Sequence, residues 1–173
     1  TLAEVKVVAL VPIRTPRLVA RKSNVPQLNV LVLGIDSISW LNFRRHFPKT
    51  QSFFARHRFT PMYGFNKVGD NTFPNLVGVL TGRHYLDFWN ETIGREMKFD
   101  QLQTIWKYYA RAGYLTTLIE DMPSFSVFNY NRGGFSHQPT DYYLRPVSIM
   151  IDEDKNHRFC YKNQLTMQAS VEF

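Results

Sequence analysis

The order of hydrophobic and polar positions predicts strands and helices in alternation along most of the chain. Residues 29–36 form an apolar run without alternation that ends in Asp36, which is typical of a strand buried on both faces of a parallel sheet. A second strand is predicted over residues 114–119, and a short strand is expected over 59–65. Strands joined through helices by short connections predict an α/β fold.

Four helices are expected from apolar spacing and from residues that begin or end helices, over residues 37–47, 48–56, 72–82 and 102–112. Ser37 is expected to cap the first helix, and Pro48 suits the first turn of the second. Asn71 or Thr72 is expected to cap the third helix, which Gly82 would end. Residues 1–28 are predicted to be a lead-in segment, and residues 29–173 a single α/β domain.

An aromatic segment over residues 122–146 follows the second strand and is rich in Gly, Pro and Asn. Irregular segments of this length are uncommon in compact domains unless they cover something. Two interpretations stay open: the segment walls a substrate pocket, or it packs irregularly across the sheet edge, which is preferred. Its main aromatic residues are Phe125, Phe128, Tyr130, Phe135, Tyr142 and Tyr143.

The net charge of +7 indicates the general kind of partner but does not identify it. A basic chain favours anionic partners such as nucleic acids, acidic glycans or phosphate esters. The basic residues are scattered, so a nucleic-acid-binding domain is the least favoured of these functions. No apolar run is long enough to span a bilayer, so no transmembrane segment is expected. The triplet Asn90-Glu91-Thr92 is a glycosylation sequon, which favours the secretory lumen or the extracellular space.

Candidate chemistry is concentrated at Asp36 and Thr72. A carboxylate at the carboxyl end of a parallel strand is placed to bind a metal ion, and a metal-bound hydroxyl at a helix start can attack a phosphate or sulfate ester. For both residues the local sequence by itself favours the structural alternative, an ordinary helix cap, over the catalytic interpretation. Asp70 and Asn71 flank the hydroxyl and can orient it or bind a substrate oxygen. Asn90 follows the helix and can stabilise charge on transferred oxygens.

The same region resembles the start of the alkaline phosphatase superfamily, and most closely the sulfatase-like members grouped as the domain-of-unknown-function 229 family. The resemblance covers most of residues 29–146 and is most specific around Thr72. Its matching segments are Val32-Leu33-Gly34-Ile35-Asp36-Ser37, Phe43-Arg44-Arg45, Pro48-Lys49-Thr50, Asn66-Lys67-Val68-Gly69-Asp70-Asn71-Thr72-Phe73-Pro74-Asn75, Leu80-Thr81-Gly82, Glu120-Asp121 and the run from Gln138 to Pro146.

The resemblance implies a parallel-sheet sandwich of the alkaline phosphatase or sulfatase type, incomplete at its C-terminus. It implies that Asp36 binds a divalent metal, expected to be zinc, and that Thr72 is both ligand and nucleophile. Thr72 does not lie in the Cys-x-Pro-x-Arg context of true sulfatases, which favours phosphoesterase-like attack or no activity.

The superfamily completes its site with downstream aspartates and histidines, and this chain has no Asp-His pair before Phe173. We therefore expect the N-terminal portion of an ester hydrolase-like protein that binds metal poorly and is inactive by itself. The alternative is a catalytically silent binding or scaffold protein of the extracellular space with the same fold.

Overall fold

The computed structural model describes residues 28–153 and the short segments 160–161 and 164–165. Most of the predicted lead-in segment therefore lies outside the described residues. Within the described part, the elements in chain order are α1 (Trp40–His46), α2 (Pro48–Arg56), α3 (Thr72–Thr81), α4 (Glu91–Gly94), α5 (Ile105–Arg111), β1 (Thr117–Leu118), β2 (Tyr142–Tyr143), α6 (Arg145–Glu153), β3 (Cys160–Tyr161) and β4 (Gln164–Leu165). Single 3-10 turns at Tyr85–Asp87 and Pro123–Phe125 join some of these elements.

Residues 29–36 do not form the predicted buried strand. They have no regular secondary structure and are exposed, with Leu31 87% and Leu33 79% accessible to solvent. No backbone hydrogen bond joins residues 28–35 to any other residue that the structure describes. A strand is defined by its pairing with a neighbour, so an apolar run without such a neighbour stays an unpaired segment.

Helices α1 and α2 form a hairpin that begins later than predicted. Ser37 has a left-handed φ of 58°, so the cap falls on Ser39, whose hydroxyl accepts a hydrogen bond from the backbone N–H of Asn42 at 3.2 Å. Pro48 occupies the first turn of α2, as predicted. Stacked aromatic rings hold the hairpin together, because Phe43 lies 5.4 Å from Phe47 and 5.9 Å from Phe54 between ring centroids. The predicted strand over 59–65 is absent, and turns take its place.

Helix α3 agrees with its prediction at both ends. It starts at Thr72 after Asn71 and stops at Gly82, which adopts the left-handed φ of 67° that favours glycine. Its buried face carries Phe73, Pro74 and Val77. That face is part of the hydrophobic core, whose buried members are Phe73, Val77, Phe99, Leu102, Trp106, Val127 and Phe128. Helix α3 is thus anchored to the core from its first turn.

The sheet is smaller than expected but has the predicted parallel direction. Strand β1 pairs with β2 in parallel, with Thr117 opposite Tyr142 and Leu118 opposite Tyr143. The carboxylate of Asp141 accepts hydrogen bonds from the backbone N–H and the hydroxyl of Thr116, at 3.0 and 2.9 Å, which fixes the start of the pair. A mixed α/β architecture is therefore present, while the larger sandwich implied by the resemblance stays a prediction.

The aromatic segment after β1 contributes directly to the core. Phe128 is buried, and Phe135 packs against the cluster with its ring centroid 4.9 Å from that of Phe128. Phe125 and Tyr130 stack on each other at 5.0 Å on the surface. Of the two interpretations of this segment, these contacts agree with irregular packing beside the sheet.

Candidate functional site

The structure brings Asp36 and Thr72 together, although they are 36 residues apart in the sequence. The Thr72 hydroxyl oxygen lies 3.4 Å from Oδ1 and 3.5 Å from Oδ2 of Asp36, as a long hydrogen bond that faces both carboxylate oxygens almost equally. Asp36 is exposed in the turn that precedes α1, and Thr72 is half-buried at the start of α3. The carboxylate and the hydroxyl therefore meet at the N-terminal end of a helix.

The spacing of these oxygen atoms agrees with two ligands of one cation. Good O–H···O hydrogen bonds measure about 2.7 Å, so this contact is too long to be a strong one. Two oxygen ligands at about 2.0–2.2 Å from a tetrahedral zinc ion would lie roughly 3.3–3.6 Å apart. The separation alone would suit two ligands of one ion, but only the Asp36 carboxylate is of a type that commonly binds zinc, so zinc binding stays a prediction.

The ligand set is incomplete in the part of the chain that the structure covers. No group of three or more His, Cys, Asp or Glu side chains among the described residues is placed to hold a metal ion. Zinc sites in proteins use three or four protein ligands. Asp36 and Thr72 would supply only two, so the pair would need further ligands to hold zinc firmly.

Asp70 and Asn71 directly precede Thr72 in the chain, and the contacts of their side chains differ from the expected ones. The Asp70 carboxylate accepts a hydrogen bond from Lys67 Nζ at 2.5 Å, and this bond together with the lysine charge lowers the pKa of Asp70. Both side chains of this ion pair face solvent. Asn71 precedes the helix with φ 70° and ψ 173°, and its side chain makes no capping hydrogen bond. The backbone of Asn71, rather than its amide, sets the direction in which Thr72 enters α3.

The residues after α3 have local partners. His84 Nδ1 accepts a hydrogen bond from the backbone N–H of Leu86 at 3.3 Å, and Arg83 Nε lies 3.8 Å from an Asp87 carboxylate oxygen. Asn90 is exposed directly before α4, so the sequon is on the surface.

Sequence reasoning missed Asn75. Its side-chain amide makes three hydrogen bonds of 2.7 Å to the backbone of the preceding loop, at Val68, Gly69 and Asn71. An asparagine in the first turn of a predicted helix, directly after a proline, is a weak signal of this arrangement, because the same residue is common on exposed helix surfaces.

The match to a family of proteins is consistent with this geometry. The chain belongs to the family described as Protein of unknown function (DUF229), whose model matches residues 4–173, almost the whole sequence. This is a sulfatase-like family. No curated protein and no solved structure matches the chain significantly.

None of the helices in the described part of the chain is sufficiently long and apolar to cross a membrane.

Proposed function

We propose that this chain supplies the N-terminal part of a metal-dependent site that hydrolyses phosphate or sulfate esters. In this site Asp36 is a ligand of the cation and Thr72 is the nucleophile. The observation that carries the proposal is the contact of the Thr72 hydroxyl with both carboxylate oxygens of Asp36. Membership of a sulfatase-like family supports an ester of an oxyacid as the substrate class. The proposal includes the larger alkaline phosphatase-type sandwich as the fold of the complete domain.

Each residue of the pair has a defined task. A threonine hydroxyl is a weak nucleophile, and a bound divalent cation lowers its pKa and neutralises charge on the ester oxygens. Asp36 holds its carboxylate against the hydroxyl and so keeps the cation and the nucleophile adjacent. The first turn of α3 leaves backbone N–H groups without intrahelical acceptors, and its positive dipole end favours an anionic ester at the same place.

The proposal places the remaining metal ligands outside the described residues. With two donors in place among the described residues, the pair by itself is expected to bind zinc weakly and to turn over little or no substrate. The exposed sequon at Asn90 supports glycosylation there and a location in the secretory lumen or outside the cell. Partners of the site are small anionic esters rather than nucleic acids.

A second candidate function is a catalytically silent binding or scaffold protein with the same fold. It is favoured by the lack of a three-ligand group among the described residues. Both candidate functions retain the contact between Asp36 and Thr72, but only the ester hydrolase requires that these residues turn over a substrate.

The experiment compares matched variants of the full-length gene product that contains this chain. Hydrolysis of aryl phosphate and aryl sulfate is measured with zinc present, and bound zinc is measured by elemental analysis. Thr72→Val, which keeps the shape of the side chain, is expected to lower turnover at least about 10³-fold with zinc content largely kept. The Asp36→Asn variant is expected to lose zinc. The Asp70→Asn variant removes a neighbouring carboxylate and is expected to retain zinc.

The outcomes separate the two candidates. Hydrolysis that survives Thr72→Val excludes this residue as the nucleophile. An unaltered protein that retains zinc but hydrolyses neither ester supports the silent candidate instead. Zinc content unchanged by Asp36→Asn contradicts the ligand assignment.

A further inference from the structure

The side chain of Asn75 makes hydrogen bonds with the backbone of three of the four residues 68–71, which directly precede α3. Its Oδ1 accepts a hydrogen bond from the backbone N–H of Val68, and its Nδ2 donates to the carbonyl oxygens of Gly69 and Asn71, each at 2.7 Å. Both amide hydrogens and one acceptor position are therefore used. A single side chain on the helix holds the loop that leads into that helix.

The loop has little else to hold it. No backbone-to-backbone hydrogen bond joins residues 66–71 to other residues of the described chain. The one ion pair in the loop, between Lys67 and Asp70, is exposed and so contributes little to stability. The hydrogen bonds of Asn75 therefore supply the polar contacts that a turn or strand would otherwise make with its own backbone.

Two further features show that the loop is held in a demanding conformation. Asn71 adopts φ 70° and ψ 173°, a combination that non-glycine residues rarely occupy unless their surroundings fix it. A Cβ atom at Gly69 would lie 2.9 Å from Cβ of Pro74, so the loop packs directly on the first turn of α3. Nδ2 of Asn75 binds the carbonyl oxygens of these same two loop residues.

We infer that Asn75 is a positioning residue, which fixes the loop 68–71 and thereby sets the Thr72 hydroxyl against Asp36. Thr72 follows Asn71 directly, so a change in the backbone of Asn71 reorients the start of α3. This inference rests on the proposed function for its catalytic meaning. The geometric role can be measured without any activity.

The test uses NMR of the 173-residue chain with labelled threonine methyl groups. The measured quantity is the change in the Thr72 methyl chemical shift caused by Asp36→Asn. It is compared in the unaltered chain, in Asn75→Leu, and in Asn66→Leu. Asn66 is the matched control, since its exposed amide makes a single 3.4 Å hydrogen bond to the Gly64 carbonyl in the same region.

We expect the Thr72 response to fall to less than half in Asn75→Leu and to stay unchanged in Asn66→Leu. Exchange of the Val68 amide hydrogen should accelerate at least about 10-fold in Asn75→Leu, because that hydrogen loses its acceptor. Asn75→Asp keeps the acceptor and removes both donors. It should therefore preserve Val68 protection while still reducing the Thr72 response, and it replaces Asn75→Leu if that variant does not fold.

An undiminished Thr72 response in an Asn75 variant that is folded by circular dichroism overturns the inference. If Thr72 in the unaltered chain does not respond to Asp36→Asn, the pair itself is refuted, and the proposed function and the positioning role fail together. If the response depends on Asn75 but the full-length gene product hydrolyses no ester, the positioning role stands and only the hydrolase proposal fails.

Discussion

Phe73 connects the candidate nucleophile to the core, and its replacement by alanine is the most informative stability test. Its side chain is 2% exposed, although the preceding Thr72 is half-buried at the surface. The guanidinium carbon of Arg132 lies 3.8 Å from the centre of the Phe73 ring. Four other rings surround it with centroids 5.5–6.3 Å away, those of Tyr85, Trp89, Phe99 and Phe128.

The cost of Phe73→Ala follows from these contacts. Truncation of a buried phenylalanine to alanine typically destabilises a protein by about 3–5 kcal/mol. The loss of a partly desolvated cation–π contact adds roughly 0.5–2 kcal/mol. Burial lowers the pKa of Arg132, and its Nε has no hydrogen-bond partner among the described residues. Its Nη1 donates to the Tyr130 carbonyl oxygen at 2.7 Å, so the Phe73 ring face is one of several contacts of this cation. We therefore expect a loss of about 4–6 kcal/mol, a large fraction of the roughly 5–15 kcal/mol that stabilises a typical domain.

The assay is urea unfolding followed by far-ultraviolet circular dichroism. Phe125→Ala is the matched control, because that ring is 60% exposed and stacks only on Tyr130 at 5.0 Å. The control should cost no more than about 1 kcal/mol. The reasoning is refuted if Phe73→Ala costs less than about 2 kcal/mol, or if the two variants unfold at the same urea concentration.

Two further predictions concern charge and surface. Burial raises the pKa of Asp100, but hydrogen bonds from the backbone N–H groups of Ser136 and His137 and from the His137 ring outweigh it and hold the pKa at about 2. Because this pKa is depressed, the stabilisation is present above the unfolded value of about 3.9 and is lost as pH falls toward 2. Urea midpoints between pH 5 and 2 should therefore fall less in Asp100→Asn than in the unaltered chain, and parallel curves would contradict this. Leu31→Lys places a charge at a position that is 87% exposed. This substitution should reduce light scattering by the concentrated chain, with a stability change within about 0.5 kcal/mol. Equal scattering by the two chains would argue against the exposed segment as a cause of association.

The sequence predicted helices better than strands, for a physical reason. Helix hydrogen bonds join residues four apart, so Pro48 and Gly82 mark helix ends from local information alone. A strand depends on a partner distant in the sequence. Residues 29–36 have the composition of a buried strand but no pairing neighbour in the described chain, whereas residues 117–118 pair with β2 across 25 positions. The Ser39 cap was missed because the left-handed backbone at Ser37 has no sequence signal of its own.

The candidate site was predictable only in its two principal residues. The resemblance predicted Asp36 and Thr72, and the structure places their side chains in contact, while their roles as ligand and nucleophile stay predictions. Asp70 was expected to orient the hydroxyl or to bind a substrate oxygen; its described hydrogen bond is to Lys67, and both expectations stay predictions. The role of Asn75 depends on a loop that folds back over the helix, and such a tertiary contact leaves no periodic pattern in the sequence.

The distribution of buried residues indicates that Asp36 and Thr72 lie in regions of unequal stability. Every buried residue in the described chain lies between Phe73 and Ile151, whereas α1 and α2 contain none. Partial opening should therefore release residues 28–65, with Asp36, while α3 and Thr72 remain folded. A ligand that contacts the side chains of both Asp36 and Thr72 binds only the form in which residues 28–65 remain folded, and so suppresses this opening. Slower amide exchange throughout the α1–α2 hairpin would then report occupancy of a site that the hairpin itself does not contain.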